Sequence, residues 1–367
     1  MAQSLPHLPD WEQLSTNVVR ILGGNPSKFT LQGTNTYLLG TGPRRILIDT
    51  GAGEKKWIDT LRTVLTASSP AGGKPLSVST CILTHWHHDH LGGVRDLEKL
   101  CEGEVTVYKN QPTWNPDGLI DPERVHDIED GQTFSIPVSG AEEGDATPFE
   151  IQAIHTPGHA KDHMVFQITS SPDPSEVGAL FTADNVLGHG TAVFENLHQY
   201  LQSLDLMKRR VVDAVAAQQQ QGRGGSSGSK RAYPGHGAVI GDAVAKIDEY
   251  IAHRRMREEE ALNVLRYGTT TAPNSAEPVV HDSITRVGDS GDEGDEEEDH
   301  VVGGGEKVPG KEWESLEMVK VIYRHYPENL WQPAESGLLM VLDKLRRDGK
   351  VVRTPAGRWR VSEKATL

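Results

Sequence analysis

The chain has only two cysteines, Cys81 and Cys101, among its 367 residues. Two cysteines cannot build the disulfide framework of small secreted domains, so the sequence predicts a protein of a reducing compartment. No apolar run approaches the roughly 18 residues that a transmembrane helix requires. The N-terminal segment has no basic residue before Arg20 and no apolar core, which argues against a secretory signal or an Arg-rich transit peptide. We therefore expect a cytoplasmic protein with no membrane partner.

An excess of basic charge is also lacking. The formal net charge is −15, but residues 282–299 alone hold nine acidic residues against one basic residue. The rest of the chain is only mildly acidic and shows no electrostatic footprint of a dedicated nucleic-acid binder.

Hydrophobic patterning predicts three regions along the chain. Residues 1–266 alternate short apolar strands, such as "RRILIDTG" and "VSTCILTH", with helical spacing over 191–215 and 242–267, and the polar stretch 218–231 is predicted as a flexible loop. Residues 267–311, rich in Thr, Gly, Asp and Glu, are predicted to be an acidic disordered linker.

Residues 312–367 regain apolar spacing and predict two or three helices followed by a small hairpin, which suggests a winged-helix-like domain. Seven basic residues lie between Lys344 and Arg360. This modest basic patch leaves nucleic-acid binding open, although winged helices also serve in contacts with protein.

Four of the sixteen histidines crowd into the stretch "THWHHDHLGG", directly after a predicted strand. In an extended segment residues two apart project to the same side, so His85 and His87 can reach one metal ion, with Asp89 continuing that side and His90 facing a second point. Zinc favours imidazole and carboxylate ligands, but each ion needs three or four of them. The stretch therefore predicts a metal site that other segments must complete.

Three further residues at strand ends are candidate ligands. His159 follows Pro-Gly in "HTPGHA", Asp184 lies in "FTADN", and His236 follows Pro-Gly in "YPGHG". Taken singly, each is more typical of a turn or a helix cap. Together, and in this order after H-x-H-x-D-H, they indicate a preorganised metal site.

This ordered set resembles the metallo-β-lactamase superfamily over residues 17–266. The resemblance implies an α/β fold, the four-layer αβ/βα sandwich, with the small winged-helix-like domain following it. It also implies two zinc ions, with Asp184 bridging them; the first is bound by His85, His87 and His159, and the second by Asp89, His90 and His236.

The charge of two zinc ions exceeds the negative charge of the Asp89 and Asp184 carboxylates. The remaining positive charge lowers the pKa of a bound water towards neutrality. Asp89 is then also the expected catalytic acid and base. Asp49, Asp162 and His163 are expected to support the ligands, and His189 is a candidate substrate-binding residue.

Within the superfamily, "ILGGNPSKFTLQGTNTYLLGTGPRRILIDTG" and "HRRMREEE", with the terminal winged helix, resemble the lactamase-beta-like group. That group includes a single-strand endoribonuclease and fungal thioesterases that release polyketides from the acyl carrier protein of a non-reducing polyketide synthase. The segment "FTADNVLGHGTAVFENLHQYLQSL" is more similar to the fungal thioesterases. We expect a zinc-dependent acyl-carrier-protein thioesterase of secondary metabolism, with the ribonuclease as the alternative. Hydrolysis of another small ester or lactone is a further alternative. The complete ligand set argues against two other interpretations, a mononuclear iron oxygenase and a metal-free interaction protein.

Overall fold

Two sheets form the centre of the larger of the two units into which the chain divides, Leu5–Ile251; the other unit runs from Ala252 to Leu367. The computed structural model describes residues 5–67, 76–136, 147–220, 228–272 and 311–363. The first sheet has, in spatial order, β1 (Trp11–Ser15), β2 (Val18–Leu22), β3 (Asn35–Leu39), β4 (Arg44–Ile48), β5 (Ser77–Leu83), β6 (Thr106–Lys109) and β7 (Val125–Asp127). The second has β12 (Ala232–Pro234), β11 (Leu180–Ala183), β10 (Met164–Ser170), β9 (Phe149–His155) and β8 (Thr133–Ile136).

Strand direction brings several strand ends to common edges. In the first sheet β4, β5, β6 and β7 pair in parallel. In the second sheet β9 and β11 are both antiparallel to β10, while β12 is parallel to β11. The carboxyl ends of β9, β11 and β12 therefore lie at one edge of that sheet.

Successive side chains along the strands point to opposite faces of the first sheet, and apolar residues are packed on both faces. Tyr37 and Leu39 of β3 belong to the core between the two sheets, together with Phe149 of β9 and Phe181 of β11. Leu38, between them in sequence, faces the other side and joins the core under the helices. This switch of face at each residue explains why strands buried on both faces are apolar throughout.

Helices cover the outer faces of both sheets. Among its described residues, the α-helices of this unit are α1 (Lys55–Ala67), the single turn α2 (His88–Leu91), α3 (Val94–Leu100), α4 (Leu197–Gln220) and the start of α5 (Ala243–Tyr267). Trp57 of α1 and Leu97 of α3 pack in the core under the first sheet, and Gln167 of β10 donates a hydrogen bond to the carbonyl of Arg210 in α4 at 3.0 Å. The order helix, sheet, sheet, helix confirms the expected αβ/βα sandwich.

Two predicted boundaries were wrong. The helix expected over 191–215 begins only at Leu197, because Asn196 caps it by accepting a hydrogen bond from the backbone N–H of Gln199. It continues to Gln220, so residues 218–220 of the predicted loop 218–231 are helical, as suits a run of glutamines with high helix propensity. None of the described helices has the length and apolarity that crossing a membrane requires.

The second unit contains the predicted winged helix. Helices α6 (Ser315–Ile322) and α7 (Trp331–Arg347) precede a hairpin of β13 (Val351–Arg353) and β14 (Trp359–Val361). Met318, Leu342 and Trp359 are buried in it. The domain boundaries at residues 266 and 312 stay predictions, and most of the predicted acidic linker lies outside the described residues.

Candidate metal centre

Four strand ends supply the seven predicted ligands. His85, His87, Asp89 and His90 follow β5 of the first sheet, whereas His159 follows β9, Asp184 follows β11 and His236 follows β12 of the second sheet. Their ligand atoms form two groups, one of His85, His87, His159 and Asp184 and one of Asp89, His90 and His236, with the atoms of each group within 4.8 Å of one another. The structure thus brings all seven residues together.

The local backbone differs from the extended segment that the sequence suggested. His87 is extended (φ −63°, ψ 141°), but His88–Leu91 form one helical turn, α2, in which the Gly92 N–H donates to the carbonyl of His88 at 2.8 Å. The turn, rather than strand alternation, therefore places Asp89 and His90. Its last residues are tied to the end of β4, because the Thr50 N–H donates to the carbonyl of His90 at 2.7 Å.

Three imidazole nitrogens of the first group point at a common centre. His85 Nε2 lies 2.9 Å from His87 Nδ1, and His159 Nε2 lies 3.0 Å from His87 Nδ1 and 3.3 Å from His85 Nε2. Ligands about 2.0–2.1 Å from a tetrahedral zinc ion are separated by about 3.3 Å. The three nitrogens are therefore spaced like ligands of one ion.

Asp184 lies between the two groups. Its Oδ2 is 3.6 Å from His159 Nε2 and 3.2 Å from His236 Nε2, while its Oδ1 is 3.3 Å from His90 Nε2. Asp89 Oδ2 is 3.2 Å from the same nitrogen of His236. Asp184 therefore touches members of both groups, as a shared ligand must.

Two observations test whether these residues fit metal ions. Among the described residues, His90 Nε2 and Asp184 Oδ1 are buried and have no hydrogen-bond partner, although they face each other. A Cβ atom on Gly235 would lie 2.3 Å from Asp184 Oδ1 and 3.0 Å from His90 Cε1, so the second Pro-Gly turn needs its glycine for the backbone to approach this closely. Unpartnered donor atoms in a space kept clear by glycine fit a metal ion.

The two groups differ in protonation. Burial lowers the pKa of His85 well below its usual value, and burial with the neighbouring His159 lowers the pKa of His87 to about 4. Burial acts the same way on His90 and His236, but the nearby Asp184 carboxylate outweighs it, so the pKa of His90 rises and that of His236 rises to about 9. Metal ligation requires neutral imidazole, so His85 and His87 are ready to bind an ion, whereas His90 and His236 must each release a proton to do so.

Asp49 and His163 support the ligands as expected. Asp49 Oδ2 accepts from Thr84 Oγ1 at 2.9 Å and lies 2.7 Å from His90 Nδ1, which leaves His90 Nε2 for the centre. His163 Nε2 accepts from the backbone N–H of Asp184 at 3.2 Å. Both contacts orient a predicted ligand, one through its ring and one through its backbone.

Asp162 was wrongly expected to support a ligand. Its carboxylate is fully buried and pairs with the equally buried Lys109, at 2.6 Å. Lys109 also donates to the carbonyl oxygens of Asn110, Gln111 and Trp114, so the pair anchors the loop after β6. Asp162 lies only three residues after His159, but its charge partner Lys109 is on β6, and the sequence pattern could not indicate this pairing.

Thr34 was missed by the sequence reasoning. Its hydroxyl lies 3.2 Å from Asp89 Oδ2, and its backbone forms a bridge with His236. The signal in the sequence is the polar run "GTNT" directly before the apolar residues "YLL". His189 lies half-buried on the loop after β11, and its role in substrate binding stays a prediction.

Comparison with known protein families identifies the chain. The profile of the metallo-beta-lactamase superfamily matches residues 29–217, and that of the beta-lactamase associated winged helix domain matches residues 315–359. The chain belongs to the metallo-beta-lactamase superfamily. The resemblance found in the histidine motif is thereby confirmed, and the His/Asp cluster of this superfamily member is compatible with metal binding.

Three relatives of this metallo-beta-lactamase superfamily member cover most of its length. The lactamase-like protein nscB of Neosartorya fischeri is 45% identical over 264 residues, 71% of this chain and 66% of that relative, just under two thirds of its length. An atrochrysone carboxyl ACP thioesterase, nsrC of Aspergillus novofumigatus, is 39% identical over 79% of this chain and 77% of the relative. The beta-lactamase-like protein 2 homolog of Drosophila melanogaster is 34% identical over 94% and 92%.

Solved structures agree on the fold. A beta-lactamase domain protein from Burkholderia ambifaria has a TM-score of 0.62 at 16% identity, covering 98% of this chain and 96% of that one. A metallo-beta-lactamase family protein from Thermus thermophilus has a TM-score of 0.55 at 20% identity, covering 96% and 99%. At these identities the similarity establishes the fold of this superfamily member and nothing finer.

Proposed function

We propose that this protein is a zinc-dependent thioesterase that releases a polyketide acyl chain from the acyl carrier protein of a non-reducing polyketide synthase, acting in the cytoplasm. One observation carries the proposal: a complete, preorganised set of seven His/Asp ligands lies in a chain 39% identical to a relative named an acyl-carrier-protein thioesterase. The substrate and the carrier-protein partner come from that relative's name.

We assign the ligands to two zinc ions. The first would be held by His85, His87 and His159, the second by Asp89, His90 and His236, and Asp184 would bridge them. When bound, such ions supply Lewis acidity that lowers the pKa of water and polarises a substrate carbonyl. The spacing of the ligand atoms and the unpartnered atoms of His90 and Asp184 support this assignment.

Asp89 is the residue we propose for proton transfer. Its side chain keeps 25% of its surface exposed, whereas His90 is fully buried and His236 nearly so. One oxygen, Oδ2, faces both the Thr34 hydroxyl and His236 Nε2, which fixes the orientation of the carboxylate. A carboxylate that is held in place and still reaches solvent can accept a proton from the attacking water and return it to the thiol leaving group.

The endoribonuclease alternative has less support because five of the seven basic residues between Lys344 and Arg360 pair with carboxylates. Among the described residues, Lys344 pairs with Glu258 and Asp348, and Arg358 pairs with Glu314. Arg346 and Arg347 both pair with Asp343. An RNA-binding surface needs cations free to neutralise phosphates.

An assay on the zinc-loaded protein separates the two activities. We expect hydrolysis of an acyl-carrier-protein thioester, no cleavage of a labelled single-stranded RNA, and a loss of about 10²- to 10⁴-fold in the Asp89→Asn variant. Asp96→Asn, an exposed change on α3, is the matched control and should retain full activity. Cleavage of RNA alone, abolished by Asp89→Asn, would refute the thioesterase and establish the ribonuclease.

A further inference from the structure

The exposed residue Lys161 lies on the turn after β9, two residues after the predicted ligand His159. Its Nζ is 3.1 Å from the centre of the Trp114 ring, within the range of a cation–π contact. Among the residues that the structure describes, it pairs with no carboxylate, whereas the exposed Lys55 and Lys99 of the same unit each pair with one. Lys161 therefore presents a positive charge that no neighbouring acid neutralises, on the turn that carries His159.

A buried network fixes the backbone on both sides of this cation–π contact. Lys109 Nζ pairs with the Asp162 carboxylate at 2.6 Å and donates to the carbonyl of Trp114 at 3.1 Å. Asn110 Nδ2 donates to the carbonyl of Asp162, directly after Lys161 in sequence, at 3.2 Å. The loop that carries the indole and the turn that carries the ammonium are therefore tied to each other from below.

A second indole connects this contact to the candidate metal centre. Trp86 lies between the predicted ligands His85 and His87 in sequence. Its ring centre is 4.5 Å from that of His87 and 6.4 Å from that of Trp114. Both indoles are half-buried, so part of each ring stays accessible. A continuous row of side-chain contacts therefore leads from a predicted ligand of the first group over two indoles to Lys161.

We propose that Trp86, Trp114 and Lys161 form an arm-binding strip, which holds the phosphopantetheine arm of a carrier protein with its phosphate at Lys161. The inference rests on the proposed thioesterase function, because the thioester of that substrate stands at the end of this arm. The arm is about as long as four extended residues, roughly 14 Å, and the contacts of 4.5, 6.4 and 3.1 Å along the strip span no more than that.

The chemistry of the arm-binding strip matches that of the arm. The methyl and methylene groups of the arm can pack on the two indole faces, and the phosphate at its far end attracts an ammonium group. Because the buried network fixes Lys161 over Trp114 before the substrate arrives, binding costs less entropy than ordering a mobile lysine would.

The test compares two benzoyl thioesters, one of pantetheine and one of phosphopantetheine, which differ only in the phosphate. We expect the wild type to prefer the phosphorylated thioester about fivefold in kcat/KM, through a lower KM, and added salt to reduce the preference. Lys161→Gln should abolish the preference and change hydrolysis of the pantetheine thioester by less than about twofold, whereas Lys161→Arg should retain the preference. Lys99→Gln, at an exposed lysine of α3, is the control. Zinc content, measured by mass spectrometry, should be unchanged in all variants.

Binding of phosphopantetheine and pantetheine by calorimetry keeps the arm-binding strip testable if the proposed function fails. If the wild type hydrolyses no thioester but binds phosphopantetheine tighter than pantetheine, and Lys161→Gln loses that preference, the strip stands without the thioesterase. Equal losses on both thioesters in Lys161→Gln, an equal effect of Lys99→Gln, or no preference for the phosphorylated compound would each overturn it. Loss of single-stranded RNA binding in Lys161→Gln, with no preference for phosphopantetheine in the wild type, would assign the lysine to an RNA phosphate instead.

Discussion

Asp49 shows how much a single side chain organises at this centre. Its backbone is in the left-handed region (φ 61°), a conformation that costs a non-glycine residue energy, and it persists because its carboxylate is bound by both the backbone and the hydroxyl of Thr84. The same carboxylate faces His90 Nδ1. The contacts that orient His90 therefore also stabilise the strained backbone of Asp49 directly after β4.

We predict that Asp49→Asn weakens zinc binding by the second ligand group about 10- to 100-fold, because the amide cannot accept from Thr84 and His90 together. Zinc titration followed by calorimetry measures the loss. Asp59→Asn on the exposed surface of α1 should leave both affinities unchanged. Unaltered binding of the second ion in Asp49→Asn would show that His90 does not depend on this contact.

At the scale of elements, the Lys109–Asp162 pair joins the end of β6 to the turn after β9. Burial raises the pKa of Asp162 even opposite Lys109, and burial lowers the pKa of Lys109, so removal from water outweighs the attraction between them. Such a pair adds little net stability when both charges are present. Removing one partner leaves the other buried and unpaired.

We predict that Lys109→Met destabilises the fold by about 3–5 kcal/mol at neutral pH, and that Asp162→Leu in the same chain restores part of the loss. Without the ammonium, the pKa of Asp162 rises further in the folded state. A carboxyl with a raised folded pKa contributes most at low pH and loses that contribution as pH rises. The loss of unfolding free energy should therefore shrink from pH 8 towards pH 5 in urea unfolding, and a loss that stays constant with pH would contradict this explanation. Lys99→Met, at an exposed side chain of α3, is the control.

The elements differ in how far the sequence could predict them. The strands before His85 and Asp184, and the order of the ligands, could be read from local patterns because each ligand follows an apolar strand. Thr34, Gly235 and the partner of Asp162 could not, since their roles depend on contacts between segments distant in sequence. The start of α4 was also missed, because a tertiary tie from Val193 to His159 keeps the preceding residues out of the helix.

At the scale of the first unit, the ligands couple metal binding to stability. Both sheets contribute ligands, so ions bound between them stabilise the folded state over the unfolded one by about 4 kcal/mol when free zinc exceeds its dissociation constant a thousandfold. We predict that chelation lowers the melting temperature by on the order of 10 °C in a thermal scan. His85→Ala should show a smaller shift, and an equal melting temperature with and without chelator would refute the coupling.

The origin of the ligands in two sheets also has a kinetic consequence. His85 follows a strand of the first sheet and His236 follows a strand of the second, and most of the sequence of the first unit lies between them. The complete binding site therefore exists only after both sheets have formed and packed against each other. A zinc ion would then bind only after the folding transition state and would stabilise the folded state without stabilising that transition state. Zinc should slow unfolding by roughly tenfold or more and leave the refolding rate within about twofold in stopped-flow experiments, so the metal would set the protein's lifetime rather than its speed of folding.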